Sequence, residues 1–332
     1  MAQTWKDNDI TLDSIKGQTI SVLGYGIQGS AQASNMRDSG LDVVVGLKRE
    51  SASWPKAVSD GHKVLETSDA CRQGDIIHVL IPDMVQSDVY RTDIEPHLTE
   101  KKALAFSHGA AIHWGWIKAP ENVDIIMVAP KGPGSKVRET YMEGFGTPSI
   151  VAVHQDYTGT AWDRTLAIGK AIGSARAGLI GTTFKEEVET DWFGEQADLC
   201  GGAASMVTNA FETLVDAGYQ PEIAYFEVLH ELKLIVDMIQ RYGINGMWNR
   251  VSETARYGGL TRGPLIMDTA SKERMKRVLD MIQDGTFNEE WVGEYKKNGR
   301  NSFDRYMKKI DEHQIEQVGR RMRKMMWPDS TE

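Results

Sequence analysis

Six short aliphatic runs constrain this chain more than anything else in it: 19–23, 43–46, 76–80, 103–107, 125–129 and 150–153. Each is apolar almost throughout, not at alternate positions. A strand with one wet face alternates, whereas a strand buried on both faces does not, and burial on both faces belongs to a parallel sheet covered by helices. The runs recur roughly every 20–35 residues, with polar or amphipathic segments between them, as βαβ units require. The reading is a doubly wound parallel α/β sheet, with a last strand near 176–179.

The character changes after Gly181, where strand signals give way to long helical patterns. Pro221 fits a first helical turn. Ile223, Phe226, Leu229, Leu232, Lys233, Val236 and Ile239 follow at helical spacing, and Tyr242-Gly243 marks an end. Further helices are expected around 247–257, 271–284, 288–297 and 313–326. The expected domains are 1–182, a dinucleotide-binding α/β domain, and 183–328, an all-helical domain.

Composition excludes several classes. The chain has 332 residues, 41% hydrophobic and 26% charged, with a net charge of −9, enough apolar material for a sizeable core. An acidic chain without a basic tract is a poor partner for nucleic acid or anionic membranes. No apolar run approaches a bilayer span, and the N-terminal stretch lacks a signal peptide's apolar segment. Cys71 and Cys200 make no CxxC, so neither a disulfide framework nor a zinc finger is expected. A cytoplasmic enzyme acting on small molecules is the expectation.

After the first run comes Gly24-Tyr25-Gly26-Ile27-Gln28-Gly29, or G-x-G-x-x-G, followed directly by a helical pattern. The first glycine makes a tight turn, the second admits a pyrophosphate close to the backbone, and the third lets helix and strand pack. Anions are favoured at the helix N-terminus that follows. The strand before and helix after supply the context the motif needs. At the end of the second run, where an NAD site usually carries a carboxylate, stand Lys48, Arg49, Glu50, Ser51 and Ser53. Two cations and two hydroxyls suit a 2′-phosphate, while Glu50 opposes it. NADP(H) with appreciable NADH use is expected.

Two acid pairs stand four residues apart, Asp191/Glu195 and Glu227/Glu231, each beside apolar or aromatic residues. At helical spacing like charges share a face and repel unless neutralised, and oxygen donors so placed suit hard cations such as Mg²⁺. A solvated helix face is the competing reading. His108 and Lys131 each follow a strand's carboxyl end, where ligands bind in open α/β sheets.

Together these pieces resemble the ketol-acid reductoisomerase family, also called acetohydroxy-acid isomeroreductase, in its short class I form. The matching strings are Val22-Leu23-Gly24-Tyr25-Gly26, Met127-Val128-Ala129-Pro130-Lys131-Gly132-Pro133-Gly134, Thr183-Phe184-Lys185-Glu186-Glu187, Phe193-Gly194-Glu195-Gln196, and the segment from Glu227 to Asp237. The resemblance implies a Rossmann domain followed by a knotted helical domain, with subunits interlocked as a homodimer or a higher oligomer such as a dodecamer. It implies that Asp191 bridges two Mg²⁺ ions, that Glu195 binds the first, and that Glu227 and Glu231 of a partner subunit bind the second. It implies that Ser252 contacts substrate, that His108, Lys131 and Glu231 serve catalysis, and that Gly134 lies with the cofactor-binding set. The chain departs from the usual motif in reading His108-Gly109-Ala110-Ala111-Ile112-His113 where the family has His-Gly-Phe-Asn-Ile-His. It also departs at Glu253 and at Ile27.

The reaction implied is alkyl migration in 2-acetolactate or 2-aceto-2-hydroxybutyrate, then NADPH reduction to the 2,3-dihydroxy acid, on the valine and isoleucine route. Either a carboxylate or a metal-bound water could act as base. Two rivals stand beside this reading. One is a metal-independent β-hydroxyacid dehydrogenase using a Lys; the other is a nucleotide-sensing module without turnover.

Overall fold

The computed structural model describes residues 2–328. The chain divides into two compact units, Met1–Thr190 and Asp191–Glu332. In chain order the first unit contains β1 (Thr4–Trp5), β2 (Thr19–Leu23), α1 (Ile27–Asp38), β3 (Asp42–Leu47), α2 (Trp54–Ser59), β4 (Lys63–Glu66) and α3 (Thr67–Gln73). β5 (Ile76–Val79), α4 (Asp83–Val89), β6 (Ala103–Phe106), α5 (Ala110–His113), β7 (Asp124–Pro130) and α6 (Gly134–Met142) follow. β8 (Ser149–Gln155), α7 (Ala161–Ala171), α8 (Ser174–Ala177) and β9 (Leu179–Gly181) complete it, and the division between units falls inside α9 (Phe184–Gly194).

The strands form one sheet in the order β1-β9-β8-β7-β6-β5-β2-β3-β4. From β7 across to β4 every neighbouring pair is parallel. Their residues point alternately into two cores: Val22, Val45, Ile126 and Val128 meet α1 and α7, while Ile77, Phe106 and Met127 meet α3 and α5. Apolar side chains are therefore needed on both faces, which accounts for the unbroken runs.

The expectation of a parallel sheet needs correction, because the sheet is mixed. β8 runs antiparallel to β7, and β1 antiparallel to β9. The cause is the connection 131–148, which doubles back at the end where β7 stops. Lys131 N–H donates to Pro148 O at 2.9 Å, so β8 begins beside the finish of β7. The strand expected near 176–179 also shifts: α8 occupies Ser174–Ala177, and β9 starts at Leu179.

Strand order reverses direction between β2 and β5, and the carboxyl ends of both open on one crevice. This is the switch point at which doubly wound sheets bind ligands.

The second unit is helical, with no strand among its described residues. A π-helical turn at 195–199 leads into α10 (Gly201–Asp216) and α11 (Pro221–Tyr225). A second π turn at 226–230 leads into α12 (Glu231–Trp248), which bends at Gly243 with φ 74° where an end was expected. α13 (Glu253–Ile266), α14 (Thr269–Gln283), α15 (Thr286–Lys296), α16 (Asn301–Asp311) and α17 (Gln314–Met326) follow. Its buried core is small: Val207, Phe211, Ala224, Tyr225, Ile315 and Val318. Leu234, Ile244, Tyr257, Leu260, Leu265 and Ile310 are each more than half exposed. No described helix is long and apolar enough to cross a membrane.

Candidate active site

The glycine-rich turn joins β2 to α1. Gly24 sits at φ +99°, and a Cβ there would lie 2.7 Å from Leu80 O, so the turn needs glycine both for its dihedral and for its closeness to the end of β5. A Cβ on Gly29 would lie 2.3 Å from Gly24 O, whereas Gly26 faces open space. The backbone at Gly26 is thus open to a phosphate, with the first turn of α1 beside it.

Tyr25 is buried and its hydroxyl donates to Asp60 at 2.8 Å. Burial, with the Asp60 carboxylate beside it, pushes the phenol up to about 12. Gln28 turns its side chain away from the crevice, donating from Nε2 to Gly132 O at 3.0 Å. Gly134 packs behind the turn, where a Cβ would lie 2.2 Å from Ile27 O.

A cleft of about 700 Å³ opens from this turn, lined by Gly24 to Ile27, Lys48, Glu50, Ser51 and Ser53 among others. Arg49 is not among its walls; it is exposed and pairs with Glu66 at 3.4 Å. Of the two cations expected at a 2′-phosphate, Lys48 therefore lines the cleft, together with both serines and the opposing Glu50.

Further along the same sheet edge, His108 and Lys131 are joined by a residue sequence reasoning missed. Glu187 on α9 is buried and accepts from Lys131 Nζ at 2.9 Å and from the Gly109 N–H at 3.0 Å. His108 Nδ1 lies 3.1 Å from its Oε2. Burial raises the Glu187 carboxyl, but the hydrogen bonds and charges of His108 and Lys131 outweigh it and hold the group at about 2. An ionised carboxylate only accepts, so the proton of His108 resides on Nδ1. Packing demands glycine at 109, since a Cβ there would meet Val188 and Phe184 at 3.0–3.2 Å. Ala110 and Ala111 behind it are buried.

Glu187 continues the four-residue spacing of Asp191 and Glu195 back by one turn. That series was the available signal. Asp191 lies on α9, and Glu195 opens the π turn at 195–199, its carbonyl accepting from Cys200 N–H at 3.2 Å. Glu227 lies inside the second π turn and Glu231 begins α12. Among the described residues, no three of these four carboxylates come close enough within one chain to share an ion. Ser252 caps α13, its hydroxyl oxygen accepting from Ala255 N–H at 3.1 Å.

A glycine-rich turn opening on a cleft at a switch point, with a Lys–Glu–His cluster on the same edge, is the arrangement of a dinucleotide-dependent enzyme. Comparison with known proteins supplies the family. Residues 14–178 match the acetohydroxy acid isomeroreductase NADPH-binding domain, and residues 184–327 the ketol-acid reductoisomerase C-terminal domain. The chain is 76% identical over 332 residues to the ketol-acid reductoisomerase (NADP(+)) of Nitrosopumilus maritimus, with both chains covered in full. It is 55% identical to that of Methanopyrus kandleri over 326 residues, 98% of this chain and 99% of the relative. Among solved structures, an NADH-preferring ketol-acid reductoisomerase from an uncultured archean superposes with a TM-score of 0.95. That structure is 45% identical, with 97% of this chain and 98% of its own covered. The chain belongs to the ketol-acid reductoisomerase family. It is an NADP(H)-binding oxidoreductase of branched-chain amino acid synthesis.

Proposed function

We propose that the protein is a Mg²⁺-dependent ketol-acid reductoisomerase, rearranging 2-acetolactate or 2-aceto-2-hydroxybutyrate by alkyl migration and reducing the resulting 2-oxo acid with NADPH. The observation that carries this reading is α9. One helix bears Glu187, paired with His108 and Lys131, and one turn later Asp191, the first of the acid pairs. The donor set fits Mg²⁺, since Asp191, Glu195, Glu227 and Glu231 offer hard oxygens with no thiolate or imidazole among them. When bound, two Mg²⁺ ions would supply Lewis acidity to the substrate's carboxylate, hydroxyl and ketone oxygens. NADPH would supply the hydride.

The chain's own residues bind and orient. Gly26 admits the pyrophosphate, and Lys48, Ser51 and Ser53 address the 2′-phosphate. Glu50 weakens that selection, so NADPH is preferred with appreciable NADH use. Glu187 anchors the Lys131 ammonium and fixes His108 with Nδ1 inward, which orients Nε2 for proton exchange. Glu231 serves as metal ligand and takes a proton-transfer role, and Ser252 contacts substrate. In this reading Glu227 and Glu231 act from a partner subunit. A knotted helical half, assembled as a homodimer or higher oligomer, completes the site.

The test is NADPH oxidation with 2-acetolactate. Turnover with Mg²⁺, its loss with EDTA and its return on adding Mg²⁺ are expected, with a lower kcat/KM for NADH in the same assay. Turnover that survives EDTA would instead indicate a metal-independent β-hydroxyacid dehydrogenase. Tight NADPH binding without turnover would indicate a sensing module.

A further inference from the structure

A chain of buried side chains runs behind the crevice, and nothing in the reaction described above uses it. Gln32, on α1 one turn after Gln28, is fully buried. Its Nε2 lies 3.1 Å from Gln28 Oε1 and 3.0 Å from Ser107 Oγ. Ser107 Oγ in turn lies 3.3 Å from His78 Nε2, inside β5. At the other end, Gln28 Nε2 donates to Gly132 O, beside Lys131.

Gln28 donates to Gly132 and Gln32 donates to both Gln28 and Ser107, while the Ser107 hydroxyl, 3.3 Å from both Gln32 Oε1 and His78 Nε2, donates to one of them. Whichever acceptor it takes, His78 Nδ1 is left buried with no hydrogen-bond partner. Burial holds this imidazole at about 4, so it stays neutral near pH 7. An apolar side chain would fill a strand interior without an orphaned polar atom. The polar chain is thus retained at a cost, and its two ends identify what it holds. One end is the loop bearing Lys131. At the other, Ser107 directly precedes His108 and Gly109, which contact Glu187 alongside Lys131.

We propose that Gln32 is a positioning residue for the reaction, holding Ser107 and the 131–132 loop against the phosphate-binding helix so that His108 and Lys131 meet Glu187 in one fixed arrangement. The inference rests on the assignment of His108 and Lys131 under Proposed function. Gln32 does not line the cofactor cleft, so its loss acts on turnover rather than on cofactor affinity.

The experiment compares Gln32→Leu and Ser107→Ala with Asn35→Ala in the full-length protein. Asn35 ties the same helix to Val137 O, Ile172 O and Arg138 without touching Ser107. It serves as the matched structural control. NADPH Kd by fluorescence titration, kcat with 2-acetolactate and Mg²⁺, and Tm are measured for each. Expected for Gln32→Leu and Ser107→Ala is a kcat at least about tenfold lower with NADPH Kd within about threefold of wild type. Asn35→Ala should lower Tm and keep kcat within about twofold. If Gln32→Leu fails to fold, Ser107→Ala, which deletes one oxygen, decides alone. Wild-type kcat in the Gln32 and Ser107 variants, or loss of kcat in all three in step with Tm, overturns the proposal. Absence of turnover in wild type itself would instead overturn the reading under Proposed function.

Discussion

Two buried titratable residues contribute to the acid behaviour of the first unit, in different pH windows. Glu187 is held down from 4.5 to about 2, so its contribution is complete above pH 4.5 and is lost as pH falls toward 2. His78 is pushed down from 6.5 to about 4. The unfolded chain takes up that proton below pH 6.5 and the folded chain resists until about 4, so stability falls between those values as pH drops. Each displacement corresponds to about 3 kcal/mol. His78→Leu should reduce the loss of stability between pH 6.5 and 4, leaving the share of His62 and His113, whose imidazoles burial also pushes down, and keeping the fall below 4.5, as read by urea unfolding at a series of pH values. A wild-type pH profile in that variant would refute the assignment. His78 and Glu187 also show what a sequence conceals at this scale. His78 sits in an aliphatic run that marks a strand whatever the histidine does, and Glu187 stands beside Glu186, which is exposed. Only the fold tells the two carboxylates apart.

At the scale of elements, legibility followed periodicity. The long strands were readable because both their faces are buried; β1 and β4 were not, with two and four residues near the sheet margins. Helix α1 was legible as a helical pattern after the glycine motif, but not the polar stripe it buries, Gln32 and Asn35, toward the sheet and α6. The π turns escaped entirely, since four-residue spacing assumes a regular helix. Their chemical signature is partly visible afterwards. A Cβ on Gly201 would lie 2.3 Å from Gln196 O, and one on Gly202 2.2 Å from Ala197 O. The widened turn after Glu195 therefore depends on two successive glycines. Gly202→Ala should destabilise the protein by about 1–3 kcal/mol, the cost of overpacking against backbone. It should also weaken Mg²⁺ binding, measured by calorimetry alongside Tm. Unchanged Tm and Mg²⁺ affinity would show that the turn tolerates a side chain.

For the whole molecule, the helical unit buries little of its own apolar surface, and exposed apolar faces of this extent mark interaction sites. That pattern was legible as apolar periodicity; that no three of the four carboxylates gather in one chain among the described residues was implied only by the family resemblance, because spacing along a sequence reports shared faces and not convergence between helices. The consequence is genetic. If each site takes one acid pair from each subunit, Asp191→Asn and Glu227→Gln chains are both inactive alone, yet a mixed dimer assembles one site in which both mutant residues fall together and one in which neither does. Co-expressing the two dead alleles should therefore restore growth without branched-chain amino acids in a host lacking its own enzyme. Random pairing puts half of the dimers in the mixed class with one intact site each, so about a quarter of wild-type activity should return. Two alleles altered in the same acid pair should restore none. No recovery from the first combination would mean that each chain builds its site alone.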